Sequence, residues 1–307
     1  MACLKECFSI LPGAEISLEA NPGTLDKEKP DAYRSMGFNR ISIGLQSTDD
    51  SCLKMLGRIH TYDQFLKNYD QVRKAGFTNI NIDIMSALPG QTLDSYLETL
   101  RIVTDLRPEH ISSYSLILEE GTPLYSDKVL QARLPDEDTE RKMYEETGRF
   151  LLDQGYRRYE ISNYALEGKE CLHNLGYWEG VPYLGLGLGA SSYWRQGETA
   201  ERCSGKTDME AYLLNPFTPF AARPDHQWLS REEQMEEYMF LGLRKTDGIS
   251  ITGFGKRFGS DLWSVYGHVI RDYLDLGLMG QTGDRLYLTE RGIDVSNRIF
   301  SSFLLDR

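Results

Sequence analysis

The sequence predicts an α/β protein in which parallel strands covered by helices are followed by a small helical module closed by a β-ribbon. Three observations predict it. Short β-branched runs alternate with longer helical patterns through the first half, the order that specifies strand–helix–strand units. A local phrase recurs as Met36-Gly37-Phe38-Asn39, Ala75-Gly76-Phe77-Thr78-Asn79 and Gln154-Gly155-Tyr156. Glycine just past a helix takes positive φ and the following aromatic packs back on the last turn, so each phrase marks a helix running into a strand. Finally, composition shifts beyond Pro216-Phe-Thr-Pro219 toward helices and a terminal ribbon.

Taken in order, strands are expected at Glu15 to Ala20, Arg40 to Leu45, Ile80 to Met85 and His110 to Leu118. Phe65, Leu66, Tyr69 and Val72 recur at helical spacing, as do Leu93, Leu97, Leu100 and Val103, and these faces should pack on the sheet. An acidic helix follows from about Leu134 to Phe150. Past the proline pair, helices are expected around Met235, Met239 and Leu243, from Ile251 to Phe258 and from Leu262 to Leu276, with a ribbon from Gly280 to Leu288. That order suggests a winged-helix-like domain over 221–307, after a barrel domain with its extension over 1–220. Residues 230 to 307 hold 10 Lys and Arg against 12 Asp and Glu, so the wing is a poor DNA reader and suits a lid or docking role.

A chain of 307 residues with 40% hydrophobic content is long enough for a real core. Its net charge of −12 and pI near 5.0 oppose phosphate-backbone binding. Cys3, Cys7, Cys52, Cys171 and Cys203 are few and scattered, and the start lacks the basic and apolar regions of an export signal, which points to a reduced, cytoplasmic protein. No apolar run approaches the roughly 20 residues that cross a bilayer.

Polar residues fall where βα barrels keep working groups, at the carboxyl ends of strands. Glu19 and Asn21 end the first run, Gln46 the second, Asp83 lies late in the third, and Ser113, Tyr114 and Ser115 interrupt the fourth. Helix caps and turns explain any one of them; convergence on one site explains all four strands together.

Glu15-Ile-Ser-Leu-Glu-Ala-Asn-Pro-Gly-Thr24, Gly37-Phe-Asn-Arg-Ile-Ser-Ile-Gly-Leu-Gln-Ser47 and Leu56-Gly-Arg-Ile-His60 resemble the HemW branch of the radical S-adenosylmethionine (SAM) superfamily, relatives of the oxygen-independent coproporphyrinogen III oxidases. The resemblance continues through Asn81-Ile-Asp-Ile-Met85, Leu88-Pro-Gly-Gln-Thr92, Glu119-Glu-Gly-Thr-Pro-Leu124, Tyr159-Glu-Ile-Ser-Asn-Tyr-Ala165 and Gly187-Leu-Gly-Ala-Ser-Ser192, covering essentially the whole chain. It implies a partial radical-SAM (βα) barrel with a C-terminal helical domain. It also implies SAM contacts at Glu19, Gln46, Arg58, Asp83 and Ile117. Arg58 can grip the SAM carboxylate, Gln46 and Asp83 suit ribose hydroxyls, Glu19 the ribose or ammonium, and Ile117 the adenine; without the resemblance, Arg58 reads first as a surface group at a helix end.

The family's Cys-x3-Cys-x2-Cys loop for a [4Fe–4S] cluster, and the Gly-Gly-Gly-Thr-Pro segment after it, would precede Met1. On this reading the first two βα units are missing, radical cleavage of SAM is not expected of this polypeptide alone, and the strand of Glu15 to Ala20 becomes an exposed edge. Cys3 and Cys7 imitate the first cysteine spacing and are expected to pack as small apolar residues on one helical face.

His173-Asn-Leu-Gly-Tyr-Trp178 matches the His-Asn-x-x-Tyr-Trp signature of the HemW branch, which implies heme binding and transfer to an acceptor protein. His173 is the candidate axial ligand, and Tyr177 and Trp178 the candidate flat surfaces against the porphyrin; a loop-bonding histidine beside core aromatics is the competing reading. The alternative function is oxidative decarboxylation of coproporphyrinogen III. His60 is a second candidate near the cofactor rim, or else a helix-start cap, whereas His110, His226 and His268 carry no signal. The glycines from Gly185 to Gly189 lack the dinucleotide spacing and suit close approach of backbone to a cofactor or a neighbouring strand.

Overall fold

A computed structural model describes residues 1–215, 223 and 225–305. The chain divides into two compact units, Met1–Glu170 and Cys171–Arg307.

The first unit is a six-stranded sheet, β1 (Ser17–Ala20), β2 (Arg40–Gln46), β3 (Ile80–Ser86), β4 (His110–Ser115), β5 (Arg157–Arg158) and β6 (Asn163–Ala165), in the order β1-β2-β3-β4-β6-β5. The first four strands run parallel, and β6 and β5 close the far side antiparallel. This is the partial βα barrel expected. Among the described residues β1 pairs with β2 alone, so it is the sheet's edge.

The helices Lys29–Met36, Tyr62–Lys74 and Glu137–Asp153 end on the repeated phrase, with Gly37, Gly76 and Gly155 at φ of 102°, 87° and 88°. In all three the glycine N–H donates to the carbonyl three residues back, and the aromatic N–H of Phe38, Phe77 or Tyr156 donates five back. These are the paired bonds of a Schellman cap. The helix Leu93–Asp105 stops differently, with Arg107 at φ 54° ahead of Pro108.

Register fixes what each face of the sheet carries. Ile41, Ile43, Leu45, Ile80, Ile82, Ile84 and Ile111 are fully buried and pack with Phe65, Val72, Tyr96, Leu100 and Val103 of the covering helices. Each such side chain contributes about 1.5–3 kcal/mol by leaving water. Ser113, expected at the rim, faces these helices: its hydroxyl lies 2.6 Å from the Tyr96 hydroxyl. Alternation along a strand puts it opposite Ser112 and Tyr114.

In the second unit, β7 (Ser191–Gln196), β8 (Thr199–Ser204) and β9 (Gln227–Leu229) form an antiparallel sheet. The helices Arg231–Gly242, Ile251–Phe258 and Leu262–Asp275 then pack with β10 (Ile249–Ser250), β11 (Met279–Thr282) and β12 (Arg285–Leu288) in the winged-helix-like arrangement expected. Pro216–Pro219, read as the composition boundary, lies outside the described residues. Gly185 is explained by backbone packing: a Cβ there would stand 2.0 Å from the Ser191 carbonyl oxygen. Cys3 and Cys7 depart from expectation. Their six-residue helix, Ala2–Cys7, buries none of its residues, so neither packs as a core group.

Candidate functional site

The face of the first sheet opposite the helices is polar from end to end. Pairing places Glu19 beside Ser42, Ser42 beside Asn81 and Asn81 beside His110; one step up, Gly44 pairs with Asp83 and Asp83 with Ser112. All of these share one side of the pleat. A linked set of hydrogen bonds joins Ser42, Asn81, Asp83, His110 and Ser112. The Tyr159 hydroxyl and His110 Nε2 are 2.8 Å apart, and His110 Nδ1 lies 2.6 Å from Asn81 Oδ1. Asn81 Nδ2 donates to Asp83 Oδ1 at 2.7 Å, and the Ser42 hydroxyl donates to Asp83 Oδ2 at 2.9 Å. Because Asn81 turns its amide oxygen to the ring, Nδ1 must carry the proton and Nε2 accepts from Tyr159.

The charge states follow. Burial pushes the Asp83 carboxyl above the usual carboxylate range, hydrogen bonds from Ser42, Asn81 and Ser112 oppose this, and Glu19 pushes the same way as burial. Burial, with Arg40 adding to it, holds His110 well below the usual histidine range, so the ring is neutral. The sequence alone assigns His110 no role, yet it is fully buried and links Tyr159 to Asn81. The signal available was alternation: Arg40-Ile-Ser-Ile-Gly-Leu-Gln46 and Ile80-Asn-Ile-Asp-Ile84 carry a polar or small residue at every second position.

At the carboxyl ends the strands open into loops. Gln46 is buried at φ 71° beside a register shift that places it opposite Ile84, and its amide lies over Gly44 with Asn21: a Cβ on Gly44 would come 2.9 Å from Gln46 Nε2 and 3.5 Å from Asn21 Oδ1. The Asn21–Thr24 turn is held from behind by Asn68, which accepts from the Gly23 N–H at 2.7 Å and donates to the Leu25 carbonyl at 2.7 Å. His60 is buried with Nε2 3.3 Å from the Leu45 carbonyl oxygen, anchoring the segment that carries Arg58 to the end of β2. Burial is the main cause of a lowered His60 pKa, and Arg58 adds to it. His60 is thus an anchor within the β2 loop and not a helix-start cap; Thr61 caps the next helix.

Glu19, Gln46 and Asp83 therefore share the polar face, while Arg58 is tied to its upper end through His60. Ile117 follows β4 and is 76% exposed. The side chains of Glu19, Gln46 and Arg58 make no hydrogen bond or ion pair among the described residues, leaving two amide or acid groups and a cation available to a polar ligand.

The heme candidates lie in the second unit on the short helix Leu172–Trp178. His173 is exposed and meets Tyr177 edge to face, ring centroids 4.6 Å apart. Tyr177 in turn meets Tyr183 at 4.8 Å. Trp178 faces elsewhere: the Arg244 guanidinium lies 4.4 Å over its ring. Residues four apart on a helix share a face and residues five apart do not, so His173 and Tyr177 come together and Trp178 does not join them.

A parallel sheet with a polar inner face, followed by a winged-helix-like module, defines a member of the radical SAM superfamily with a HemN-type C-terminal domain. Residues 1–103 match the Radical SAM superfamily, and residues 229–295 match the HemN C-terminal domain. Coproporphyrinogen III oxidase (HemN) from Escherichia coli, a radical SAM enzyme, superimposes with a TM-score of 0.80 at 21% identity over 99% of this chain and 72% of that one, a likeness of fold. The heme chaperone HemW of Lactococcus lactis is 36% identical over 294 residues, 95% of this chain and 76% of that protein, and the Bacillus subtilis heme chaperone HemW matches with the same identity and shares. The chain belongs to the HemW family.

The superfamily implies SAM and a [4Fe–4S] cluster. The Glu19, Gln46 and Arg58 side chains, which make no hydrogen bond or ion pair among the described residues, supply the acid, amide and cation that the polar groups of SAM call for. The cluster is different: among the described residues no three His, Cys, Asp or Glu are grouped to hold a metal ion, and Cys3 and Cys7 lack a third thiolate. This donor set does not fit the cluster.

Proposed function

We propose that the chain is a heme chaperone that binds heme and passes it to an acceptor protein, with SAM held on the polar face of the first unit. The observation that carries this reading is the 36% identity to heme chaperones over 95% of the chain, spanning both units. The exposed His173 beside Tyr177 supports it, since an imidazole backed by an aromatic edge suits axial ligation of a porphyrin iron. SAM brings a carboxylate, an ammonium, ribose hydroxyls and an adenine. Arg58 would take the carboxylate, Gln46 and Asp83 the ribose, Glu19 the ribose or ammonium, and Ile117 the adenine. Five cysteines present as free thiols suit a reducing compartment, and we place the protein in the cytoplasm; among the described residues no helix is long and apolar enough to cross a membrane.

Hemin titration of the protein and of His173→Ala tests the reading. A Soret band that forms with the wild type and changes position or affinity in the variant supports it. An identical band in both removes His173 as ligand, and no band with the wild type removes heme binding.

A further inference from the structure

The second unit contains a cavity of about 220 Å³ beside the turn that ends the His173 helix, with Trp178, Glu179, Tyr193, Tyr238, Lys245 and Arg257 among its walls. The charges around it do not balance. Glu179 pairs with Lys245 at 3.0 Å, Asp247 with Lys245 at 3.6 Å and Arg285 at 3.4 Å, and Glu237 with Arg202 at 2.9 Å. Among the described residues no carboxylate pairs with Arg257. Its Nη2 donates to the Tyr193 hydroxyl at 3.2 Å, its guanidinium lies 5.1 Å from the Phe258 ring centre, and its Nε is buried without a partner. Burial lowers its pKa, and the neighbouring Arg195 adds to this. A guanidinium so placed is costly unless an anion meets it.

The position of Arg257 relative to His173 says what that anion is. A Cβ on Gly180 would stand 3.3 Å from Arg257 Nη1, so the guanidinium lies against the backbone of the turn seven residues beyond His173. The helix rises roughly 8 Å from His173 to its last residue, Trp178, with Gly180 in the turn just beyond, a separation comparable to the reach from a heme iron to its propionate carboxylates. The rings of Tyr177, Tyr183 and Tyr193 bridge the interval, with centroids 4.8 and 6.2 Å apart, and make a continuous aromatic wall from imidazole to guanidinium. Tyr193, which accepts from Arg257, keeps its own proton to donate.

We infer that Arg257, with the Tyr193 hydroxyl, is the seat of a propionate carboxylate of the bound heme. The inference rests on the heme-binding reading above and adds the residues that orient the porphyrin. Arginine suits the task because its fork can hold a carboxylate through two parallel bonds.

The test titrates the full chain, wild type, Arg257→Gln and Arg257→Lys, with hemin and with hemin dimethyl ester, whose propionates carry no charge; thermal melts report folding. Hemin should bind Arg257→Gln about 10- to 100-fold more weakly, with part of the loss recovered in Arg257→Lys. The ester should bind the wild type as weakly as hemin binds Arg257→Gln and should not distinguish the two proteins. Equal hemin affinity in wild type and Arg257→Gln overturns the inference, as does an Arg257→Gln defect of equal size for hemin and the ester. Inorganic phosphate that raises the melting temperature of the wild type alone, with no change in hemin affinity, would show a phosphate site and overturn the propionate assignment. If Arg257→Gln fails to fold, the comparison of hemin with its ester on the wild type decides alone. Failure of the wild type to bind hemin overturns the heme reading itself, an outcome separate from any Arg257 effect.

Discussion

The Asn81 amide donates to the Asp83 carboxylate at 2.7 Å while its oxygen receives the proton of His110, so one asparagine couples an acid at the upper end of the polar face to a neutral imidazole at the lower end. Such a network is worth most when every member is satisfied. In the SAM site proposed above the upper end would meet ligand while the lower end, at the buried His110, meets protein, so changes along the network should separate binding from stability.

Gly44→Ala tests the upper end. The added methyl displaces the far end of a flexible side chain, Gln46 Nε2, and Gly44 does not have positive φ, so the fold should tolerate it within about 1 kcal/mol. The methyl pushes the Gln46 amide away from the position it would need to meet the SAM ribose in the proposed site. SAM affinity by calorimetry should fall tenfold or more while the melting temperature shifts by a few degrees. Unchanged affinity would mean that SAM does not depend on the placement of Gln46.

Asp83→Asn should trade the other way. The Asp83 carboxyl has a raised pKa in the fold because burial disfavours its charge. A group of this kind loses stabilising effect as pH rises from its ordinary value of 3.8 through the raised folded value, and the deficit persists at neutral pH. The neutral variant should therefore be more stable than the wild type near pH 7, the difference closing below the ordinary carboxylate range, and should bind SAM more weakly. Urea unfolding at pH 7 and below pH 4 measures the first effect.

Much of this was legible in advance because the signals were local. The second strand, expected from Arg40 to Leu45, ends at Gln46, and all three glycine–aromatic phrases form the same cap. The polar face was less legible. Isoleucines fill the helix-covered face of each run, and Ser42, Gly44, Asn81, Asp83 and Ser112 alternate with them onto the other face, where each taken singly reads as an ordinary strand residue. His110 gave no sign because its partners Asn81 and Tyr159 come from distant segments, and Arg257 none because an unpaired guanidinium is visible only once every nearby carboxylate is placed.

Asn68 was also silent in the sequence, a polar residue on the helix Tyr62–Lys74. It is buried and holds the Asn21–Thr24 turn by two bonds of 2.7 Å. Asn68→Ala leaves the Gly23 N–H and the Leu25 carbonyl without these partners, at a cost of about 1–3 kcal/mol. Asn21 then loses the support that keeps it over Gly44. SAM affinity should drop several-fold although Asn68 touches no ligand, and hydrogen exchange should speed up at Gly23. Loss of stability with affinity intact would assign Asn68 a purely structural part.

The lower end of the network predicts acid sensitivity. His110 has a folded pKa well below 6.5, so the unfolded chain takes up its proton first. Stability contributed by the neutral ring is complete above pH 6.5 and is lost as pH falls toward the depressed folded value. His110→Gln cannot titrate. It should cost about 2–3 kcal/mol at pH 7, where the ring's bonds to Asn81 and Tyr159 are replaced by poorer ones. The gap from wild type should narrow between about pH 6.5 and 5, because only the wild type is losing stability to this group. Denaturant unfolding of both proteins across that range checks the slope, and parallel curves would show that His110 is not the residue that responds to acid.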